Sequence, residues 1–238
     1  MIAIKQGVGL RTYNTFGINV KCDLFCEIST EKEFLELIST DTYRLNKRLV
    51  LGGGSNVLFL EDFRGLVIKN AFKGISIVKE DKDTALVKAA AGEVWHELVQ
   101  FAIRKELGGL ENLSLIPGCV GASPMQNIGA YGVEIQEVFE ELEAFSMENG
   151  EKRIFKKNDC QFGYRESIFK RALKDKYLIG SVTFRLQKNP ILNTSYGAIN
   201  AELAAMGVKD PGIKEISDAV IRIRKSKLPD PEKTGNAG

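Results

Sequence analysis

The sequence predicts a fold that mixes helices and β-strands around one irregular, glycine-rich segment. Thr30, with Glu33 three residues later, opens an apolar helical stripe and is typical of a helix N-terminus. The run Y-L-I-G-S-V-T-F-R-L at 177–186 is rich in β-branched and aromatic residues, which indicates a strand. Residues 116–135 fit neither period, although they are too apolar for a solvated linker. Helices and strands are therefore expected to frame an irregular central segment.

In chain order, residues 10–20 have no regular period and are expected to form an irregular entry segment. The expected strands are 22–28, 49–51, 66–69, 74–78, 85–90, 138–147, 152–155 and 177–186, the last of which closes the sheet. The expected helices are 31–39 and 93–105, with a third that is capped by Asp210 and has Pro211 in its first position. Residues 148–150 (E-N-G) form a hairpin turn. Pro229 and Pro231 end the third helix.

Composition and charge exclude several classes of function. There are 33 Lys and Arg residues against 31 Asp and Glu, a net charge of +2, which does not favour nucleic acid as a partner. The four cysteines form no C-x-x-C pair and His96 is the only histidine, so no metal site is expected and the thiols are expected to be reduced and mostly buried. No stretch approaches 18 consecutive apolar residues, and the first residues, M-I-A-I-K-Q-G, lack the apolar region typical of a secretory leader. These observations predict a cytoplasmic protein with no membrane contact.

Residues 116–135 (I-P-G-C-V-G-A-S-P-M-Q-N-I-G-A-Y-G-V-E-I) carry the main functional signal. Glycines at this density, Gly118, Gly121, Gly129 and Gly132, let a main chain approach a ligand closely and adopt positive φ. The segment therefore predicts a cradle for a large, flat, phosphate-bearing ligand. The alternative is a buried Ω-like loop that only joins two elements.

A second signal follows the strand 49–51, which ends in Gly52, Gly53, Gly54, Ser55 and Asn56. A strand that stops in glycines can present consecutive N–H groups to a pyrophosphate. The segment lacks the Lys-Ser/Thr of a nucleotide-triphosphate loop and the G-x-G-x-x-G of a dinucleotide fingerprint. We therefore expect a ligand held between loops, while a plain glycine hairpin is the alternative.

Tyr164 and Arg165 lie in an aromatic-rich loop, where a guanidinium can hold a carboxylate with two parallel hydrogen bonds. The alternative for Arg165 is an ordinary surface arginine. Near the end of the third helix a basic patch could bind an anion or could be only a solvated helix end; it contains Arg222, Arg224, Lys225 and Lys227. A lone histidine on a helix is more often structural than catalytic, and we interpret His96 in that way.

Several motifs in fixed order resemble one family over nearly the whole chain. They are N-T-F-G at 14–17, L-G-G-G-S-N-V-L at 51–58, the cradle at 116–135, G-Y-R-E-S at 163–167 and K-L-P-D-P at 227–231. This set resembles the UDP-N-acetylenolpyruvoylglucosamine reductase family of bacterial cell-wall synthesis. The resemblance implies an α+β, two-lobed FAD-binding fold of the vanillyl-alcohol-oxidase (PCMH-like) type. The implied domains are an N-terminal FAD-binding lobe at 1–70, a second lobe at 71–206 and the start of a substrate domain at 207–238.

The resemblance also implies the chemistry. NADPH would reduce a non-covalent FAD, which would then reduce the enolpyruvyl group of a UDP-sugar. Arg165 would be the catalytic residue that polarises the substrate carboxylate. The implied cofactor-binding residues are Gly52, Gly53, Gly54, Ser55, Asn56, Pro117, Gly118, Gly121, Ala122, Gln126, Asn127, Gly129, Ala130 and Tyr131. The implied substrate-binding residues are Tyr164, Tyr196, Arg224 and Lys227.

By the same resemblance, the chain ends just before the family's proton-donating serine and a closing domain with a late glutamate. The sequence therefore carries the expectation of a truncated, monomeric protein with little or no turnover. Two alternatives stay open, a flavin-binding module without reductase activity and an FAD oxidase of the same superfamily.

Overall fold

A computed structural model describes residues 2–229 and 234–236. The first lobe contains a four-stranded sheet in the order β1-β2-β4-β3. Its strands are β1 Ile4–Gly9, β2 Lys21–Ile28, β3 Arg48–Leu51 and β4 Phe63–Asn70. β1 runs antiparallel to β2, whereas β4 is parallel to both β2 and β3. Two helices, α1 Glu31–Ile38 and α2 Asp41–Leu45, connect β2 to β3. Because β3 and β4 are parallel, the chain between them must leave the carboxyl end of β3 and return along the sheet. The glycine loop 52–56 is the first part of that connection and lies at the carboxyl end of β3.

The second lobe contains a five-stranded antiparallel sheet in the order β10-β9-β11-β6-β5. Its strands are β5 Ile75–Glu80, β6 Thr84–Ala90, β9 Phe139–Ser146, β10 Lys152–Lys156 and β11 Tyr177–Gln187. Between β6 and β9 come α3 Trp95–Arg104 and a two-residue ladder, β7 Gly129–Ala130 with β8 Val133–Glu134. The remaining helices are α4 Lys157–Cys160, α5 Gly197–Ala205 and α6 Ile213–Lys227.

All eight predicted strands are present, with ends that differ by no more than three residues, and the hairpin across 148–150 pairs β9 with β10. The α1 cap is also confirmed, since the hydroxyl of Thr30 accepts the N–H of Glu33 at 3.2 Å. The prediction that 177–186 closes the sheet is wrong. β11 lies in its centre, hydrogen-bonded to β9 on one side and β6 on the other. Its near-continuous burial is what a central strand requires.

The start of α6 also differs from the prediction. The helix begins at Ile213 and is capped by Gly212, so Asp210 and Pro211 lie outside it. The carboxylate of Glu215 accepts the N–H of Gly212 at 2.9 Å, which satisfies a donor at the helix end. Of the two prolines expected to end this helix, Pro229 lies just beyond it, and Pro231 falls outside the described residues.

The largest core joins α3 to the second sheet through Trp95, which is fully buried. Its ring meets Phe184 of β11 edge to face at 5.7 Å, and its indole N–H donates to the carbonyl of Leu113 at 2.8 Å. Burying a large apolar side chain contributes about 2–3 kcal/mol, and this one also ties the loop that precedes the cradle to the sheet. The cradle is therefore anchored at its beginning.

Helices α5 and α6 form a separate apolar cluster through Ile199, Leu203 and Ile216. A buried hydroxyl pair, Ser114 with Ser217 at 2.7 Å, links α6 to the second lobe. The expected domain boundaries at 70 and 206 stay a prediction. The element that α5 contacts most is α6 and not the sheet of the second lobe.

Within the described ranges, no helix is long and apolar enough to cross a membrane. Those residues also contain no cluster of three or more His, Cys, Asp or Glu side chains that could hold a metal ion. The four cysteines are free and buried, as expected. Burial raises the pKa of Cys26 to about 11 and that of Cys160 to about 12, so these thiols stay protonated at neutral pH.

Candidate functional site

A cleft between the glycine loop after β3 and the cradle contains three adjoining cavities of about 330, 470 and 270 Å³. The first cavity shares Gly52, Ala122 and Met125 with the second. It shares Ser55, Pro117 and Gln126, among others, with the third. The three spaces therefore form one elongated groove, which is the shape that a dinucleotide-sized ligand needs.

Main-chain amides line the middle of the groove. The four consecutive N–H groups from Gly53 to Asn56 find no hydrogen-bond acceptor among the described residues. Gly54 has φ +65°, and its carbonyl accepts the N–H of Thr15 at 3.2 Å. A series of unpaired N–H groups around a left-handed glycine is a typical anion-binding concavity. This segment is therefore suited to hold a phosphate or pyrophosphate.

The glycines of the two loops allow main chains to meet at the floor of the groove. A β-carbon on Gly53 would lie 3.0 Å from the α-carbon of Gly118, and one on Gly121 would lie 2.5 Å from the β-carbon of Ala91. A side chain at Gly53 would push the two loops apart, and one at Gly121 would push the cradle away from Ala91, which follows β6. The side-chain amide of Asn56 donates to the side-chain carbonyl of Gln126 at 3.1 Å, which is a further contact between the two loops.

The third cavity has two arginines at its rim, Arg165 and Arg224. Neither has a carboxylate partner among the described residues, and the Nε of Arg224 is buried without an acceptor. Burial lowers the pKa of Arg224, while the neighbouring Tyr131 acts in the opposite direction. Two guanidinium groups that have no carboxylate partner among the described residues can bind an anion at this end of the groove, and a carboxylate or phosphate suits their geometry.

Arg165 lies at the tip of a two-residue hairpin. Gly163 and Glu166 exchange both main-chain hydrogen bonds, at 3.0 and 3.2 Å, and Arg165 has φ +54°. A non-glycine residue in this region is strained by about 1–3 kcal/mol, and such residues cluster at functional sites. Its guanidinium lies 5.9 Å from the ring centre of Tyr164, a side chain that is 84% exposed.

The structure brings one further group of predicted residues together. The rings of Tyr131 and Tyr196 meet edge to face at 5.2 Å, and Tyr131 also lies beside Arg224. The buried amide of Asn112 donates to the carbonyls of Tyr131 and Asn193, at 3.1 and 2.9 Å, and so fixes this turn. Burial raises the pKa of Tyr131, while the neighbouring Arg224 acts in the opposite direction.

Twelve of the predicted site residues line the groove. They are Gly52, Gly53, Gly54, Ser55, Asn56, Pro117, Gly121, Ala122, Gln126, Gly129, Arg165 and Arg224. The others, Gly118, Asn127, Ala130, Tyr131, Tyr164, Tyr196 and Lys227, lie outside its three cavities as delineated. The assignment of both groups of residues to catalysis, cofactor or substrate stays a prediction.

His96 is hydrogen bonded in the way expected of a structural histidine. Its Nδ1 accepts the N–H of Leu115 at 3.0 Å, immediately before the cradle. Burial is the main cause that lowers the pKa of this imidazole, with Lys225 adding to it and Glu97 opposing it. A neutral ring whose Nδ1 is an acceptor fits both observations.

Sequence reasoning missed the second cavity, the largest of the three. Its walls include Arg48, Asn70, Phe169, Asp175 and Tyr177, which come from strands, a turn and a loop far apart in the chain. None of them belongs to a glycine motif. Asp175 has a left-handed backbone, with φ +59°, but the sequence around it does not predict that conformation.

The groove fits the FAD that the resemblance implies. A long, partly apolar space with an amide-lined centre suits two ring systems joined by a diphosphate. The β-carbon that any other residue would add at Gly53 or Gly121 would disturb the floor of the groove, so the glycines serve its shape.

Comparison with known proteins also indicates an FAD-binding protein. An FAD binding domain family matches residues 24–154. The UDP-N-acetylenolpyruvoylglucosamine reductase of Flavobacterium johnsoniae is 47% identical over 99% of this chain and 69% of its own length. That of Chromobacterium violaceum is 46% identical over 100% of this chain and 70% of its own length.

Solved structures are similar in fold. The crystal structure of UDP-N-acetylenolpyruvylglucosamine reductase from Thermus caldophilus has a TM-score of 0.73 at 24% identity, over 100% of this chain and 74% of its own. Cholesterol oxidase from Brevibacterium sterolicum has a TM-score of 0.55 at 16% identity, over 78% and 38% of the two chains. The fold is thus the two-lobed, PCMH-type FAD-binding fold, and the chain belongs to the UDP-N-acetylenolpyruvoylglucosamine reductase family of FAD-dependent oxidoreductases.

Proposed function

We propose that the reaction of this protein is the NADPH-dependent reduction, through FAD, of UDP-N-acetylglucosamine enolpyruvate to UDP-N-acetylmuramate, a step of peptidoglycan synthesis, and that these 238 residues carry it out with little or no turnover. The observation that carries the proposal is the pair of guanidinium groups without a carboxylate partner among the described residues, Arg165 and Arg224, at the end of an amide-lined groove. The names of the curated relatives support the substrate. The cytoplasmic location, the monomeric state and the lack of nucleic-acid or membrane partners stay predictions.

FAD, when bound, would supply the hydride transfer that links NADPH to the enolpyruvyl group, and a proton added at the adjacent carbon would complete the reduction. The N–H groups of Gly53 to Asn56 would hold its diphosphate, and the other predicted cofactor residues that line the groove would form the walls around it. The attachment is proposed to be non-covalent, because the single histidine, His96, lies far in sequence from the glycine loop 52–56.

Arg165 is the residue to which we assign catalysis. Hydride addition to the vinyl ether moves negative charge toward the substrate carboxylate, and a preorganised guanidinium stabilises that charge more in the transition state than in the ground state. Arg224 and Lys227 would bind the diphosphate of the UDP-sugar, and Tyr164 and Tyr196 would seat the sugar end. The hairpin at 163–166 keeps Arg165 at the rim, where the enolpyruvyl group would enter.

The test is a pair of anaerobic half-reactions on the flavin-loaded protein. We expect NADPH to bleach the flavin, and the enolpyruvyl substrate to restore its colour under nitrogen with release of UDP-N-acetylmuramate. An oxidase would recover its colour only on admission of air. A flavin-binding module would fail to be reduced by NADPH at all. Either result would contradict the proposed reaction.

A further inference from the structure

We propose that Asn127 and Ser167 are positioning residues. Together they fix the position of the hairpin 163–166, and with it Arg165, relative to the cradle and the glycine loop 52–56. The inference rests on the proposed role of Arg165. Neither side chain is expected to touch substrate. Each acts on the backbone of the hairpin from the opposite side, and the cradle segment 125–127 is the common support.

Asn127 holds the first end of the hairpin. The residue is fully buried, at 0% exposure, and has a left-handed backbone with φ +42°. Its side-chain amide donates to the carbonyl of Gly163 at 3.0 Å and to the carboxylate of Glu134 at 2.7 Å. Its side-chain carbonyl accepts the N–H of Gln136 at 3.2 Å. Both amide hydrogens are therefore used, and one of them fixes the residue that begins the hairpin.

Ser167 holds the other end. It is also fully buried, and its hydroxyl donates to the carbonyl of Met125 at 2.7 Å while accepting the N–H of Phe169 at 3.2 Å. The two ends of the hairpin are thus hydrogen bonded to residues only two apart in the cradle. Met125 lines the first two cavities, so the support for the hairpin is itself a wall of the groove.

Arg165 depends on this support because its own side chain is poorly held. Apart from the ring of Tyr164, its guanidinium has no side-chain partner among the described residues. The main-chain carbonyl of Arg165 accepts from Lys170 at 3.0 Å, which leaves the position of the guanidinium to the hairpin backbone. Gln126, which lies between Met125 and Asn127, bonds to Asn56 of the glycine loop. The segment 125–127 therefore links the glycine loop to the arginine hairpin, because each of its three residues makes a hydrogen bond to one or the other.

The test compares Asn127→Gly with the parent protein in the two half-reactions. Glycine keeps the left-handed backbone at no steric cost and removes only the amide contacts. We expect flavin reoxidation by UDP-N-acetylglucosamine enolpyruvate to slow by about 10–10²-fold, the range for a displaced reacting group. Flavin reduction by NADPH should hardly change. Asn46→Gly is the control, because it also removes a side-chain amide that donates to a carbonyl, that of Thr42 at 2.8 Å, in the first lobe and outside the three cavities.

The double variant Asn127→Gly/Arg165→Lys decides whether the effect passes through Arg165. If Asn127 only positions Arg165, adding Asn127→Gly to Arg165→Lys should slow reoxidation by no more than about threefold, since groups that act as a unit are not additive. A fully multiplicative loss, or equal slowing of both half-reactions, would overturn the inference while leaving the proposed function in place. An Arg165→Lys protein with the parent rate would overturn the role of Arg165 itself. Should Asn127→Gly not fold, Ser167→Ala tests the same link from the other end.

Discussion

Replacing Gly54 with alanine is expected to abolish tight FAD binding. The new β-carbon would lie 1.9 Å from the carbonyl oxygen of Tyr13, and the backbone at φ +65° is already unfavourable for alanine. The loop must then move, and its N–H groups lose their common direction. Each hydrogen bond to a charged group contributes about 1.5–3 kcal/mol. Loss of two of them corresponds to a fall in FAD affinity of at least about 10²-fold.

Gly7→Ala is the matched control for this change. Gly7 lies in the same lobe and has φ +63°, but a β-carbon there meets no atom within 4 Å. The two variants therefore share the conformational cost of about 1–2 kcal/mol and differ in the clash at the groove. Titration of each refolded protein with FAD, followed by quenching of flavin fluorescence, measures the difference. Equal affinities in the two variants would mean that the glycine loop does not hold the cofactor.

Arg165→Lys is expected to slow the substrate half-reaction by about 10²–10³-fold, the usual loss for one preorganised electrostatic contact. Lysine keeps the positive charge but cannot offer two parallel donors to a carboxylate. Reduction of the flavin by NADPH should change far less, because no carboxylate needs to be polarised in that step. Anaerobic stopped-flow measurement of flavin absorbance separates the two rates.

Arg64→Lys serves as the control for that experiment, since Arg64 is an exposed arginine paired with Asp23 on the first sheet. It should leave both rates unchanged. Equal slowing of both half-reactions in Arg165→Lys would show that Arg165 supports the fold or the flavin instead of the substrate.

Local elements could be predicted from the sequence because short-range signals determine them. The Thr30 cap, the apolar stripe of α3 and the turn at 148–150 each depend on residues within one or two turns of chain. The order of strands could not, because the position of β11 depends on pairing with β6, which is about 90 residues away in sequence. β1 and α5 were missed, the first because two glycines weaken its pattern and the second because it has almost no polar face.

The same division applies to the site. Glycine motifs could be found in the sequence because the backbone conformation they permit is a property of the residues themselves, as at Gly54. The partnership of Arg165 with Arg224, and the support of the hairpin by Asn127, join segments 36 to 59 residues apart. Such contacts depend on the packed fold. The second cavity was invisible for the same reason, since Asn70 and Tyr177 meet only across the two lobes.

The most direct test of this account is the flavin content of the protein itself. The chain should be refolded with excess FAD, freed of unbound cofactor and measured for flavin absorbance per mole of protein, before and after denaturation. We expect a single FAD per chain, released completely into the soluble fraction when the protein is unfolded. A folded protein that retains no flavin, or a flavin that stays attached to the unfolded chain, would contradict a non-covalent FAD site between the two glycine loops.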